Sequence, residues 1–423
     1  MKPIGAFIGG AKGRLLPRSI PLRFFGAAVA FHLLAWAALA AGALQGAGFS
    51  QGLGWPLAAL HLVTLGMLGM CAIGAGAQLL PVATRQSAIG PRLLSAIWWL
   101  YTPGVAVLAL GMGLARPLML VVGAVAVALS LASWALLMAG NLRGARGMPG
   151  VVAHGWASMA ALALVLASAL ALVSVWLGLP GPGRDTSLAL HLVIAPYGFM
   201  GLLALGLSYI LVPMFALADT PDPRQQLTSL VFALAALGLA AVAAFGIATM
   251  PLRVLALLLG AIAVVLHLRL MAQALRSGMR QALGRSFTLL RISWAGLLAS
   301  LGLALAFVLQ VPVPRLDQWF GLCLIGMWLM SFLLGMLQRI LPFLTAMHGG
   351  SGRRAHTPSS LSFEPALRVL FVCHLAALAL LASSIAADSR WPVLAASLVG
   401  AVGALAFATF YGVLLQRMRK PRS

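Results

Sequence analysis

The stretch Ala58–Arg85, AALHLVTLGMLGMCAIGAGAQLLPVATR, opens with apolar residues around a histidine, continues through a glycine-rich middle and closes on Leu-Leu-Pro. It recurs at 188–219 as LALHLVIAPYGFMGLLALGLSYILVPMFALAD. A weaker third copy at 318–347, QWFGLCLIGMWLMSFLLGMLQRILPFLTAM, has Phe320 where the histidine would fall. The histidine or Phe320 precedes the last proline of its copy by 20, 22 and 22 residues. Copies about 130 residues apart predict an internally triplicated chain.

Composition identifies the class of protein. The chain is 62% hydrophobic and 8% charged, with a mean hydropathy of +1.03, whereas soluble domains are about 25% charged. A membrane-spanning helix needs about 20 apolar residues. Twelve segments qualify, and they are centred near residues 33, 68, 102, 128, 164, 202, 237, 262, 298, 331, 376 and 403. We therefore predict an all-α protein whose main partner is the lipid bilayer, with the repeated stretch as the second span of each four-helix unit.

The predicted organisation follows from the three copies. A basic cytoplasmic leader covers residues 1–21, and the three pseudo-symmetric four-helix repeats cover 22–147, 148–285 and 286–417. A polar cytoplasmic loop at 348–365 interrupts the third repeat, and a basic tail covers 418–423. His154 and His267 are predicted at the inner membrane interface.

Basic residues fix the predicted orientation. Lys and Arg gather at both ends of the chain and in alternate connections, and cytoplasmic loops are the ones enriched in these residues. The opposite connections carry few, namely Arg116, Arg184, Arg253, Arg315 and Arg390. We expect a multi-pass protein of a bacterial-type inner (cytoplasmic) membrane with both termini cytoplasmic. This rule accounts for the net charge of +22. We therefore predict no nucleic-acid partner.

Several functional classes lack their usual residues. All six acidic residues fall in loops or at span ends, whereas ion-coupled transporters commonly hold carboxylates inside the membrane. The sequence also lacks a Walker loop, a His-Glu-x-x-His pair and a Ser-His-Asp order with a buried acid. The three cysteines lie within spans without a CxxC spacing, which favours a role as buried apolar residues.

Four histidines lie well inside predicted spans: His32, His61, His191 and His374. Burying an imidazole is costly unless its nitrogens are satisfied, so each is a functional candidate. A hydrogen bond to a neighbouring helix carbonyl is the ordinary alternative, and it suits His32 and His374 best. His61 and His191 recur at one depth in a repeated motif, about 8 to 10 Å below the outer surface by the helix rise. This recurrence favours metal or heme ligation.

The glycine-rich middle of the second span adds to this hypothesis. Glycines let a neighbouring helix, or a flat ligand, approach the backbone closely. The four in question are Gly66, Gly69, Gly74 and Gly76.

The combination of His61, Leu65 and Gly66 followed by Gln-Leu-Leu-Pro at 78–81 resembles the catalytic subunit of heme-copper oxidases and nitric-oxide reductases. The twelve spans in three four-helix units resemble the same superfamily, and in particular its NnrS proteins, which are described as heme- and copper-containing membrane proteins associated with nitric-oxide metabolism. The resemblance implies a heme-copper oxidase subunit I-like fold over the whole chain. Its residue-level support is confined to the second, sixth and tenth spans.

The family's ligands carry over only in part. His61 matches the histidine that binds the low-spin heme, and His191 falls in the span that supplies a copper ligand. The family's tyrosine four residues after that ligand is missing, since Tyr197 comes six later. The histidine pair of the seventh span and the His-x-His of the tenth are missing too; the tenth span has Phe320 and Cys323 in that region. The usual ligand set of a binuclear heme-copper centre is therefore incomplete, which argues against terminal oxygen reduction.

The resemblance implies heme b as the cofactor, with copper as the alternative. The heme ligands would be His61 with His191, His32, His374 or a methionine such as Met67 or Met70, and the metal ligands His61 and His191. Outer arginines such as Arg116, Arg315 or Arg390 would pair with propionates.

The predicted role is in nitric-oxide response or respiratory metabolism, together with a redox partner. Two alternatives remain open. One is a transporter or export channel for a small or metal-bound substrate, with histidines and the 18 methionines as transient soft-metal sites. The other is a non-catalytic assembly factor whose ancestral site has decayed.

Overall fold

The computed structural model describes residues 14–46, 52–348 and 357–419. Within these ranges the regular structure is entirely helical, and twelve helices are long and apolar enough to cross a membrane. The leader up to residue 13, the loop residues 349–356 and the tail from residue 420 lie outside the described residues. The helices are α1 Ser19–Leu44, α2 Trp55–Ala83, α3 Pro91–Gly113, α4 Pro117–Arg143, α5 Pro149–Trp176, α6 Arg184–Ala216, α7 Pro223–Ala244, α8 Thr249–Ser277, α9 Gly284–Val308, α10 Leu316–His348, α11 Glu364–Ala387 and α12 Arg390–Arg419.

The prediction of an all-helical protein with twelve candidate membrane spans is confirmed, and every predicted span centre falls inside one helix. Several helices begin with proline, as α3, α4, α5 and α7 do. Proline suits this position because its fixed φ is helical and the first turn needs no amide donor. The predicted repeat boundary at 147/148 falls between helices, whereas the one at 285/286 falls inside the first turn of α9. A short helix, Pro358–Leu361, precedes α11.

The neighbours of each helix recur with a period of four. The helices α3 and α4 pack together, as do α7 with α8 and α11 with α12. Likewise α4 packs on α5, α8 packs on α9, and α12 returns to α1, so the contacts close into a ring. The hydroxyl of Tyr411 on α12 donates to the carbonyl of Leu22 on α1 across this closure. The most buried helices are α2, α6 and α10, the three that contain the repeated stretch.

Close crossings join the first and second helix of each four-helix group. On each second helix (α2, α6 and α10), a glycine lies seven residues before the proline of the repeated stretch. This glycine faces the residue five positions after the first residue of α1, α5 or α9. An added Cβ on these glycines would meet the opposite side chain at 3.0, 2.6 and 3.2 Å. The pairs are Gly74 with Phe24, Gly206 with His154, and Gly335 with Leu289. Small residues at such crossings allow helices in a membrane to pack backbone against backbone.

A second crossing lies two turns further along the same helices. Here the residue 15 positions before the same proline on α2, α6 or α10 meets a residue of α1, α5 or α9. That residue lies twelve positions after the first residue of its helix. The glycine is on the second helix in the first two groups and on the first helix in the third. The pairs are Gly66 with Phe31, Gly198 with Ala161, and Met327 with Gly296. The threefold repeat stays a prediction, and both crossings agree with it.

The glycines of α2 make room for aromatic side chains of other helices. An added Cβ on Gly69 would come within 2.3 Å of the Tyr101 hydroxyl oxygen, and one on Gly76 would come within 2.9 Å of the Trp134 ring. Phe31 and Phe24 fill the corresponding space at the other two glycines. Of the two predicted occupants, neighbouring helix or flat ligand, the structure therefore has the helix at all four positions.

Each of α2, α6 and α10 contains a π-helical segment, at Leu62–Gly69, Ile194–Gly201 and Leu322–Met330 respectively. The segments begin within three residues of His61, His191 and Phe320. Side chains from all three meet in one apolar cluster, where Val63 and Met200 pack against the buried Leu68 and Trp328. Because π-helical turns are rare and often occur at functional sites, this level of the bundle is a candidate functional region.

Candidate functional site

His61 and His191 come together at the level just outside the π-helical segments. Each lies six or seven residues from the start of its helix, roughly 9 to 11 Å along the axis. Their ring centres are 6.5 Å apart and their planes differ by 20°. Both side chains are half-buried. The two residues that the repeated motif selects therefore form one pair, contributed by α2 and α6.

The hydrogen bonds of the pair fix which ring nitrogen carries the proton. His61 Nδ1 lies 3.0 Å from the Leu57 carbonyl, which can only accept, so Nδ1–H donates. His191 Nδ1 lies 3.3 Å from the Ser168 hydroxyl of α5. That hydroxyl also lies 3.0 Å from the Val165 carbonyl, and with its single proton directed there, His191 Nδ1–H donates to the hydroxyl oxygen. In a neutral imidazole the other nitrogen then holds the lone pair, and neither Nε2 has a hydrogen-bond partner among the described residues.

This arrangement suits metal coordination. Ligating histidines usually donate their second N–H to a carbonyl or another polar group, which fixes the ring. A metal–nitrogen bond of about 2.0 to 2.1 Å, with about 1.1 Å from nitrogen to ring centre, places two ligating rings about 6.3 Å apart across one ion. The observed separation is 6.5 Å. The ring-centre separation of the pair is thus close to that of two imidazoles across one ion.

The number of protein ligands limits which centre fits. Within the described ranges, no three His, Cys, Asp or Glu side chains are placed to hold a metal ion. A zinc site of four protein ligands is therefore not built here. Two imidazoles suffice for heme iron, whose other four ligands are the macrocycle nitrogens, or for a copper(I) ion. The donor set fits the two predicted centres and disfavours a closed structural zinc site.

The side chains inward of the pair are apolar and well packed. Tyr197 stacks on Trp328 with ring centres 5.3 Å apart, and its hydroxyl donates to the Ser300 hydroxyl at 2.9 Å. Its hydroxyl is therefore directed to α9 and is not bonded to the histidines. Phe320, at the third copy's histidine position, packs against the same cluster.

His32 and His374 meet at a different place. Both line a narrow crevice between α1, α11 and α12. His32 Nε2 accepts a hydrogen bond from the Trp36 indole at 3.1 Å, and His374 Nε2 shares one with the Ser331 hydroxyl at 2.8 Å. A protein group thus occupies one nitrogen of each ring, but neither is the helix carbonyl of the ordinary alternative. His32 Nδ1 is buried without a hydrogen-bond partner among the described residues. Ser331 also bonds the Gly326 carbonyl, as Ser168 bonds Val165, so His374 is held much as His191 is.

The outer arginines have protein partners of their own. Arg315 pairs with Asp388 at 2.9 Å and also donates to the Ile385 carbonyl. The Arg390 guanidinium lies 5.2 Å from the centre of the Trp391 ring. Arg116 is exposed. Of the predicted propionate partners, Arg315 is thus already neutralised by a carboxylate.

A third group of histidines was not among the predicted site residues. His154 and His267 are buried inside the protein, with Tyr209 between them. Their positions near the ends of predicted spans indicated only an interface. The sequence did not reveal that they lie together, because this depends on α5 and α8 both packing against α6.

The chain has no match among protein-family profiles, and none among curated proteins. The geometry of the three histidine groups is therefore the basis for assigning a function.

Proposed function

We propose that this multi-pass membrane protein binds one transition-metal centre, heme b iron or copper, between His61 and His191 near the outer face. The resemblance to heme-copper oxidases motivates the heme, and the NnrS-like motif motivates a role in nitric-oxide response or respiratory metabolism. The proposal includes an oxidase-like fold of three pseudo-symmetric repeats, a bacterial inner membrane and cytoplasmic termini. The paired crossings between first and second helices support the repeats.

One observation carries the proposal. Two imidazoles from different helices have their Nδ1–H groups engaged and their Nε2 lone pairs free, at ring centres 6.5 Å apart. A histidine buried only for packing needs no partner histidine at a metal-bridging distance. The chain places this pair where its repeated motif begins.

The residues around the pair suit electron transfer better than catalysis. Bound between two histidines, the metal would supply a one-electron redox couple. Leu57 and Ser168 hold the ring orientations, so neither imidazole must turn when the charge of the centre changes. The apolar cluster below excludes water and keeps the couple isolated from the inner half of the bundle. Exposure near the outer face would leave the centre within reach of a redox partner or a dissolved gas such as nitric oxide.

The test is a visible spectrum of the full-length protein, purified in mild detergent after heme-supplemented expression. Oxidised and dithionite-reduced samples are compared for wild type, His61→Ala and His191→Ala, with copper and iron measured on each. A Soret band or one bound copper that disappears in both variants is the expected result. His348→Ala is the matched control, because this histidine bonds the Leu344 and Leu16 carbonyls and lies far along the chain from the pair.

Two outcomes would contradict the proposal. A colourless, metal-free wild type would leave the transporter or the assembly factor as the better reading. A pigment that survives both substitutions would place the centre elsewhere in the bundle. Size-exclusion profiles of all variants establish that a lost pigment is not lost folding.

A further inference from the structure

Three aromatic side chains form a buried polar group in the α5–α8 unit. His154 of α5 and His267 of α8 each pack edge-on to Tyr209 of α6, with ring centres 5.3 and 5.1 Å away. The exposed fractions of the three side chains are 1%, 2% and 0%. All three lie in the half of their helices nearer the predicted cytoplasmic side, away from His61 and His191.

Several polar atoms of this group lack a hydrogen bond to the protein. His154 Nδ1 lies 2.8 Å from the Gly150 carbonyl and must donate to it, which leaves the lone pair on Nε2. His267 Nδ1 is buried without a hydrogen-bond partner among the described residues. Tyr209 Oη makes no hydrogen bond of standard geometry there either, although the Ser229 hydroxyl, which donates to the Ala263 carbonyl, lies near it. Unpaired buried polar atoms are rare in native proteins, and each calls for a bound water, an ion or a functional role.

Packing does not require these residue types. His154 occupies the crossing position that Phe24 and Leu289 occupy in the other two four-helix groups. Both of those side chains are apolar, so an apolar residue satisfies the contact with the facing glycine. Only the middle group replaces it with a histidine and adds His267 and Tyr209 beside it.

The backbone holds the group in place. Gly206 faces His154, and Tyr209 follows Gly206 by three residues on the same face of α6. The close approach of α5 to α6 therefore brings His154 and Tyr209 to one point. From the opposite side, α8 supplies His267 through its packing against α6.

We propose that His154, Tyr209 and His267 bind a first-row transition-metal ion, with copper as the best fit. Imidazole nitrogens suit such ions, and copper binds a given nitrogen and oxygen donor set most tightly among the divalent members. The third ligand is a phenol. When copper(II) binds, the Tyr209 O–H bond breaks, a copper–oxygen bond forms and the proton leaves to water. The phenolate then offsets one of the two positive charges.

The experiment uses the full-length protein with His61→Ala and His191→Ala, so that the outer pair cannot contribute metal. The protein is equilibrated with copper(II), excess ion is removed, and bound copper and the visible spectrum are recorded. One copper per chain with a phenolate-to-copper charge-transfer band is expected. Adding Tyr209→Phe should abolish that band. Adding His154→Leu, the residue found at the equivalent position 289, should reduce bound copper at least tenfold.

The controls separate a site from surface binding and from misfolding. His348→Ala in the same background should leave copper and spectrum unchanged. Tyr209→Phe removes a single oxygen. If His154→Leu does not fold, loss or persistence of the charge-transfer band in Tyr209→Phe therefore tests the site. No copper in the background protein, or equal copper and an unchanged band in all variants, would overturn the proposal. Because heme at the outer pair is absent throughout, the fate of the proposed function does not affect this result.

Discussion

Gly206 of α6 lies directly against His154 of α5, so closely that an added Cβ would come within 2.6 Å of the histidine Cβ. Real side chains do not approach this closely, and the neighbouring backbone would have to move. The same crossing occurs in the other two four-helix groups, at Gly74 and Gly335. The close helix approach at these three points therefore helps to position the outer ends of α2, α6 and α10, which carry His61, His191 and Phe320.

Gly206→Ala is expected to destabilise the protein by about 1 to 3 kcal/mol, because overpacking displaces two helices. The measurement is the thermal unfolding midpoint in detergent. Gly238→Ala on α7 is the matched control, since its Cβ would meet nothing within 4 Å. Equal midpoints for the two variants would contradict the packing role of Gly206.

Ser168→Ala is expected to weaken metal binding at the outer pair by about 10-fold to 100-fold, the usual effect of losing a group that orients a ligating histidine. The Ser168 hydroxyl accepts the His191 Nδ1–H, and without it the ring is free to turn. Metal or heme titration gives the affinity. Ser174→Ala serves as control because its hydroxyl bonds only the Leu170 carbonyl of the same helix. An unchanged affinity for Ser168→Ala would mean that His191 is not a ligand.

His32→Ala and His374→Ala are expected to keep the visible spectrum of the wild type. Both line a crevice that neither His61 nor His191 lines, and one nitrogen of each is bonded to Trp36 or Ser331. The loss should appear in stability, at about 1 kcal/mol for each hydrogen bond removed, with a further cost for the cavity that each buried side chain leaves. A spectrum that shifts or vanishes in either variant would restore that histidine as an axial ligand.

Tyr197→Phe is expected to cost about 1 kcal/mol in unfolding free energy and to leave any pigment unchanged, because only the bond to Ser300 is lost. Trp328→Ala should cost more, about 3 to 5 kcal/mol, since it empties the centre of the apolar cluster. Chemical unfolding followed by circular dichroism measures both. A pigment lost in Tyr197→Phe would instead place this hydroxyl at the metal.

Membrane orientation is tested by labelling single cysteines with a membrane-impermeant maleimide in intact cells. In a Cys373→Ala background, Gly181→Cys between α5 and α6 should react from outside. Arg146→Cys between α4 and α5 should react only after permeabilisation. Both positions are exposed, and the other two native cysteines are buried. The reverse pattern would invert the predicted topology.

The apolar segments and the repeated motif of the sequence were sufficient to predict the twelve helices, because each span must be apolar over its full length whatever its neighbours. They also selected His61 and His191, since a repeated motif at one depth brings equivalent residues to one level. The facing partner of each glycine was not predictable, because Phe31 and Trp134 come from other helices. The π-helical segments left no sequence signal either, since a change of hydrogen-bond register does not alter apolar composition.

His154 and His267 illustrate the same limit. Each, taken alone, was an ordinary histidine near the end of a span. Their relation depends on α5 and α8 both packing against α6, a contact between segments more than 50 residues apart in the chain. A systematic comparison of His154 with Phe24 and Leu289 could have flagged the exchange, but only once the repeats were aligned helix by helix.

The bond from Tyr411 to Leu22 joins residues 389 positions apart. During synthesis, α1 enters the membrane with one face bare and stays so until α12 emerges. Trp36 on that face packs against Gly400 of α12 only then. α1 is thus fully enclosed only after α12 has been made, and a chain truncated before α12 would expose to lipid, or to quality-control proteases, the face of α1 that α12 covers.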